Sequence, residues 1–243
     1  MSSQQSYQSV FGKYSGGIEV LKGITGYNPV KQELRLISLE TLKSSAEQKN
    51  AAVTSAATDL QELRNQRRNM SFRAKDTDTN CIENLIRNIA SYIKAELTAS
   101  NSAYTKVNSI IKKFNPPVEK KVDLKEGEEP KKSKSQSEKS YQSLVGFAND
   151  VHTVIAGLGE AYSPSNTNIT VASFKTKIDE LAALNAAVVK AENSYSTAVQ
   201  ERNEIYNGEV GINSIMSSIK NYLASLEGGK NNPGYIAFVN AIK

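Results

Sequence analysis

The sequence predicts an all-α protein, a tandem duplication of an antiparallel helical-bundle unit with long helices, its two copies joined by a charged flexible linker. Three observations predict it. The segment from Tyr7 to Lys112 is matched in order by the segment from Tyr141 to Lys243, long stretches without Pro or Gly carry apolar residues at helical spacing, and no period-two alternation bounded by turn residues signals a strand.

The repeat is read from landmarks. Tyr7, Gln8 and Ser9 match Tyr141, Gln142 and Ser143, and Gly23 matches Gly157. After one inserted residue Tyr27 and Pro29 fall opposite Tyr162 and Pro164, Val53 opposite Val188, and Arg67 opposite Arg202. A shorter turn in the second copy resets the register, and Ile82, Ile89 and Tyr92 then meet Ile212, Ile219 and Tyr222. Gaps fall where turns are expected, as they should between two copies of one folded unit. The expected units are residues 1–114 and 137–243, with a linker over 115–136.

A first helix is expected over 7–24, from the three-and-four spacing of Tyr7, Val10, Tyr14, Ile18 and Leu21, weakened at Gly16-Gly17. Its counterpart from Tyr141 lacks the glycine pair and is the better helix former. A turn follows in each copy, where Asn28 or Ser163 is placed to cap and Pro29 or Pro164 to occupy a first helical position.

From about Gln32 to Phe72 no Pro or Gly interrupts the chain. A heptad puts Leu39, Ala46, Val53 and Leu60 at one seam position and Leu42, Ala56, Leu63 and Met70 at the other, with Lys49 as a polar interruption. About 40 residues at 1.5 Å each make a rod of about 60 Å. The second copy repeats the register from about Val171 to Tyr206, with Ile178 expected to take the seam place that Lys177 vacates.

Asn80 and Glu83 have capping-box spacing and open a third helix that is expected to return antiparallel to the second. In the second copy this helix ends at Gly228-Gly229 before a short last helix behind Pro233. The matching stretch of the first copy, Thr98 to Ser102, has no comparable breaker, so a kink and a straight continuation both fit. Pro116-Pro117 stops the last helix of the first copy, and the charged run beyond it is too poor in apolar residues to fold alone.

Composition narrows the chemistry. Apolar residues make up 39% of the chain and Trp is absent, which suits long, partly solvated helices with lean cores. The formal net charge of +5 is uneven: residues 140–243 carry 7 basic against 9 acidic side chains. Cys81, the single cysteine, excludes an intramolecular disulfide and a multi-cysteine zinc site, and is expected near a helix start. Neither a signal segment nor a run of about eighteen apolar residues is evident, so a soluble, cytoplasmic protein is expected.

His152 is the single histidine. It sits opposite Ile18 of the first copy, which favours a packing or boundary role over catalysis. Neither Gly23-Ile24-Thr25-Gly26 nor Gly157-Leu158-Gly159 continues into a phosphate-binding loop. No catalytic, metal-binding or cofactor-binding residue is identified, and no cofactor or small-molecule substrate is expected.

The candidate interaction residues are Arg64, Arg67, Arg68 and Arg202. The register puts Arg67 and Arg202 on the seam, where an arginine needs a carboxylate, a carbonyl of the adjoining helix turn, or a route out to solvent. The other reading is a site for an acidic partner. Shifting the alignment by one residue would pair Arg68 with Arg202 instead, so the sequence leaves two registers open.

The leading expectation is a non-enzymatic helical scaffold, assembly or protein-interaction subunit, whose partner is another protein or a second copy of itself. Two alternatives come from other classes. A membrane-active, pore-forming-like protein would need an apolar hairpin, and the best stretch, Leu181 to Val189, is short and flanked by charge. A nucleic-acid binder would use Arg64, Arg67, Arg68 and Arg73 with the linker lysines, where acidic residues interleave and argue for a solvated face. Neither a membrane nor nucleic acid is the expected partner.

Overall fold

The computed structural model describes residues 3–72, 80–114 and 141–243, and among these the protein is helical, with no strand. The first segment supplies α1 (Ser3–Lys22), α2 (Leu36–Ser71), α3 (Ile82–Glu96) and α4 (Ser102–Phe114). The second supplies α5 (Tyr141–Ala156), α6 (Val171–Asn207), α7 (Ile212–Ser225) and α8 (Pro233–Ala241). The linker expected at 115–136 lies outside the described residues.

The long helices form as the seam predicts. α2 has 36 residues and α6 has 37, and Leu39, Ala46, Val53 and Leu60 are buried. Leu42, Ala56, Leu63 and Met70 at the other seam position are half-buried, so the stripe is narrow. Ile178 is buried where Lys177 leaves the register, and Lys177 pairs at the surface with Glu180. Lys49 reaches Glu201 at 2.8 Å.

Several helix starts differ from expectation. Pro29 does not open α2: a 3-10 turn at Gln32–Leu34 intervenes, and the Pro29 carbonyl accepts from Arg35 Nε at 3.3 Å. Neither Asn28 nor Ser163 caps. In the second segment Asn166 takes that role for a 3-10 turn at Thr167–Ile169, accepting from the Asn168 amide. What fixes both connections is a tyrosine: the Tyr27 hydroxyl donates to the Leu34 carbonyl and the Tyr162 hydroxyl to the Ile169 carbonyl, each at 2.7 Å. At α3 the N-cap is Cys81, with no side-chain capping bond. Asn80 instead accepts from Asn168 Nδ2 at 3.2 Å, and Glu83 pairs with Arg87 at 2.9 Å.

Between α3 and α4 the chain breaks rather than running straight. Thr98 adopts φ 80°, and Asn101 caps the next helix by accepting from the Ala103 amide at 2.8 Å. The corresponding break in the second segment uses Gly228 at φ 87° and Asn232, which accepts from the Gly234 amide ahead of α8. A polar side chain that satisfies an orphan N–H thus starts both final helices.

The described residues form two compact units, and each draws on both sequence segments. Unit 1 consists of residues 1–60 and 191–243, and unit 2 of residues 61–190. These are not the boundaries drawn from the repeat at 1–114 and 137–243. The physical reason lies in α2 and α6: with no breaker inside either helix, α2 leaves unit 1 and enters unit 2, and α6 makes the return.

In unit 1, α1 packs on α8 and α7, both from the second segment. Its core takes six buried residues from each segment, Tyr14, Ile18, Leu21, Leu34, Leu39 and Ala46 meeting Tyr206, Ile212, Ile215, Ile219, Leu223 and Phe238. Gly17 has a packing reason here. A Cβ on Gly17 would lie 2.8 Å from Phe238 Cε2 and 3.1 Å from Ile242 Cγ2, so the absent side chain lets α8 approach α1.

In unit 2, α5 packs on α4 and α3. Its core joins nine residues of the first segment, among them Ile82, Ile86, Ile89 and Val107, to ten of the second, among them Leu144, Val151, Phe174 and Leu181. A large apolar side chain contributes about 1.5–3 kcal/mol when fully buried. What either segment adds to either core is therefore comparable with the whole net stability of a domain, about 5–15 kcal/mol.

Candidate interaction site

Each unit holds an arginine stacked on a tyrosine. In unit 1 the Arg202 guanidinium, on α6, lies 4.3 Å from the centroid of the Tyr7 ring on α1. In unit 2 the Arg67 guanidinium, on α2, lies 3.9 Å from the centroid of the Tyr141 ring on α5. The stacked arginines are thus Arg67 and Arg202. Among the described residues each guanidinium has a ring face beside it, a surface that accepts a flat, weakly hydrated cation.

The surroundings are built alike. Asn50 of α2 donates to the Tyr206 hydroxyl at 2.7 Å in unit 1, and Asn185 of α6 donates to the Tyr141 carbonyl at 3.2 Å in unit 2. Both asparagine Oδ1 atoms and both arginine Nε atoms are buried without a hydrogen-bond partner among the described residues. Ring packing completes each cluster. Tyr206 meets Tyr7 edge-on at 4.8 Å, and Phe72 meets Tyr141 at 5.6 Å. The Tyr7 hydroxyl donates to Asn203 Oδ1 at 3.1 Å.

The two clusters differ in burial. Arg202 is 4% exposed, whereas Arg67 is half-buried. Tyr206 is fully buried, and burial pushes its phenol up from the ordinary tyrosine value, while the Asn50 hydrogen bond and the Arg202 charge pull the other way. Ser71 stands in unit 2 where the register puts Tyr206 in unit 1; it is buried and its Oγ has no hydrogen-bond partner among the described residues.

Arg64 and Arg68 are exposed on α2 and belong to neither stack. Arg73 and the linker lysines, which the sequence groups with them, lie outside the described residues. His152 is half-buried on α5. Among the described residues no group of His, Cys, Asp and Glu is placed to hold a metal ion, and no helix is long and apolar enough to cross a membrane.

Asn50, Asn185, Tyr7 and Tyr141 were not selected as site residues from the sequence. The signal for them is in the alignment of the two segments, where Tyr7 falls opposite Tyr141, Asn50 opposite Asn185 and Arg67 opposite Arg202.

Apart from the stacks, large apolar side chains remain on the surface. Val30 is 91% and Ile37 77% exposed, on either side of the 3-10 turn whose Leu34 is buried in unit 1. The register places Ser165 and Ala172 opposite them in the second segment. Comparison of the chain with protein-family models, with curated proteins and with solved structures gives no match.

Proposed function

We propose that the protein is a non-enzymatic helical scaffold, an assembly or protein-interaction subunit that works through its helix surfaces. The observation that carries this reading is the pair Val30 and Ile37, left in solvent on the connection and in the first turn of α2, on either side of a stretch otherwise pinned by Tyr27 and Leu34. A connection this well fixed could have been polar, as Ser165 shows. Rigid exposed apolar side chains are what association covers, at low cost in ordering entropy.

The stacked arginines support the same reading from the other direction. Their guanidiniums are engaged with ring faces inside the units, which makes them parts of the framework that presents a surface. The partner on this reading is another protein or a second copy of the chain.

The test installs a photo-crosslinking residue at position 30 or 37 in the cells that make the protein, with light scattering of the purified chain across a wide concentration range. A discrete adduct from either position, or a defined oligomer lost on Val30→Ser with Ile37→Ser, is the expected result. A chain that stays monomeric and crosslinks to nothing from both positions overturns the proposal.

A further inference from the structure

We propose that the binding partner each sequence segment is built to recognise is the other segment, so that the chain is a covalently joined pseudo-dimer whose halves associate without the connection between them. By the same surfaces, the half of one chain fits the complementary half of a second copy.

Four features carry this, and none depends on the exposed residues discussed above. Both cores are shared almost evenly, six residues from each segment in unit 1 and nine with ten in unit 2. The short helices pack across segments, α1 on α7 and α8, and α5 on α3 and α4. Each stack takes its arginine from one segment and its tyrosine from the other, Arg202 with Tyr7 and Arg67 with Tyr141. The edge-on ring pairs obey the same rule, Tyr27 meeting Tyr222 at 5.5 Å in unit 1 and Tyr92 meeting Tyr162 at 5.1 Å in unit 2.

Such an exchange of equivalent elements is how swapped dimers are made from identical chains. Here the two participants are unequal copies in one chain. Neither stack can form from one segment alone, because the sequence distance between arginine and tyrosine always crosses the connection. On this proposal the connection contributes effective concentration to an association that the two segments make themselves.

The test keeps the whole chain and cuts it once. A protease site inserted between residues 121 and 131 of the full-length protein is cleaved, and the product is followed by gel filtration with light scattering and by circular dichroism. The expected result is co-elution of the two pieces at the mass of the uncut chain, with helical signal unchanged. Heavy- and light-isotope preparations of the cut protein, mixed, unfolded and refolded together, are then expected to give about half of the complexes with one heavy and one light piece. Pieces that separate after cleavage, whether folded or not, overturn the proposal, as does the absence of mixed complexes after joint refolding.

Discussion

Arg202 and Tyr7 sit 195 residues apart in sequence and 4.3 Å apart in space, and what their contact is worth decides how tightly two distant parts of the chain are joined. A partly desolvated cation–π pair is worth about 1–2 kcal/mol. A double-mutant cycle with Tyr7→Leu and Arg202→Met, read by urea unfolding, is therefore expected to show a coupling of about that size. Arg202→Lys should recover little of it, because a compact ammonium cannot lie flat on the ring. Strict additivity would reduce the stack to mere proximity. The tyrosines also set a response to pH. Burial raises the phenols of Tyr14, Tyr27, Tyr162 and Tyr206 above their ordinary value, with a nearby carboxylate, Glu40, adding to the shift at Tyr14. A raised acid binds its proton more tightly folded than unfolded, so its contribution is complete below the unfolded value near 10 and is lost as pH climbs above it. Melting temperature is expected to hold up to about pH 10 as far as these groups govern it, then fall, at up to about 1.4 kcal/mol per pH unit for each such tyrosine. Tyrosinate absorbance rising together with loss of helix, rather than ahead of it, is the sign to look for. These contacts were only partly legible in the sequence. The seam register placed both arginines, but a ring supplied from the other segment is a partner that periodicity within one helix cannot reveal.

At the scale of the element, α1 contains glycines with opposite consequences. Gly12 would meet nothing within 4 Å if it carried a Cβ, whereas Gly17 would meet Phe238 at 2.8 Å. Alanine gains about 1 kcal/mol over glycine in a helix interior, and overpacking a tight contact costs about 1–3 kcal/mol. Gly12→Ala is accordingly expected to stabilise the protein by up to about 1 kcal/mol. Gly17→Ala is expected to be neutral to destabilising by about 2 kcal/mol, with the loss growing for Gly17→Leu. Chemical unfolding of the three variants checks the order; Gly17→Ala as stabilising as Gly12→Ala would mean that α8 moves aside freely. Gly17 illustrates what local reasoning misses: propensity marks it as a weakness, and the close approach of α8 explains its presence. The helices themselves were legible, because a breaker-free seam with Leu39, Ala46, Val53 and Leu60 has one physical reading. Starts were less so. Pro29, Asn28 and Ser163 carry start signals, but the chain there is held by the bonds of Tyr27 and Tyr162 to carbonyls seven residues further on.

For the whole molecule, the all-α class was legible in the sequence, while the assortment of the helices into units was not. The patterns that reveal a helix are blind to which neighbour covers it. The first and last helices now fall in one unit, with α1 packed on α8 and Gly16 within 3.8 Å, by its absent Cβ, of the Ala241 carbonyl. From Gly16 back to Ser3 is 13 residues of helix, about 20 Å. A bridge of about ten flexible residues, with a reach of about 33 Å, can therefore join Lys243 to Ser3. If the connection between α4 and α5 is only a tether, the order of the two segments along the chain is immaterial. A circular permutant running from Tyr141 to Lys243, through the bridge, and from Ser3 to Phe114 is then expected to show the parental helical signal per residue and to melt within a few degrees of the parent. Circular dichroism and calorimetry decide it. A permutant that stays unfolded would assign the connection a structural part in assembling the two cores. A permutant that folds would show that the information for both units resides in the two segments, since each helix would have found its cross-segment neighbour from the opposite direction along the chain.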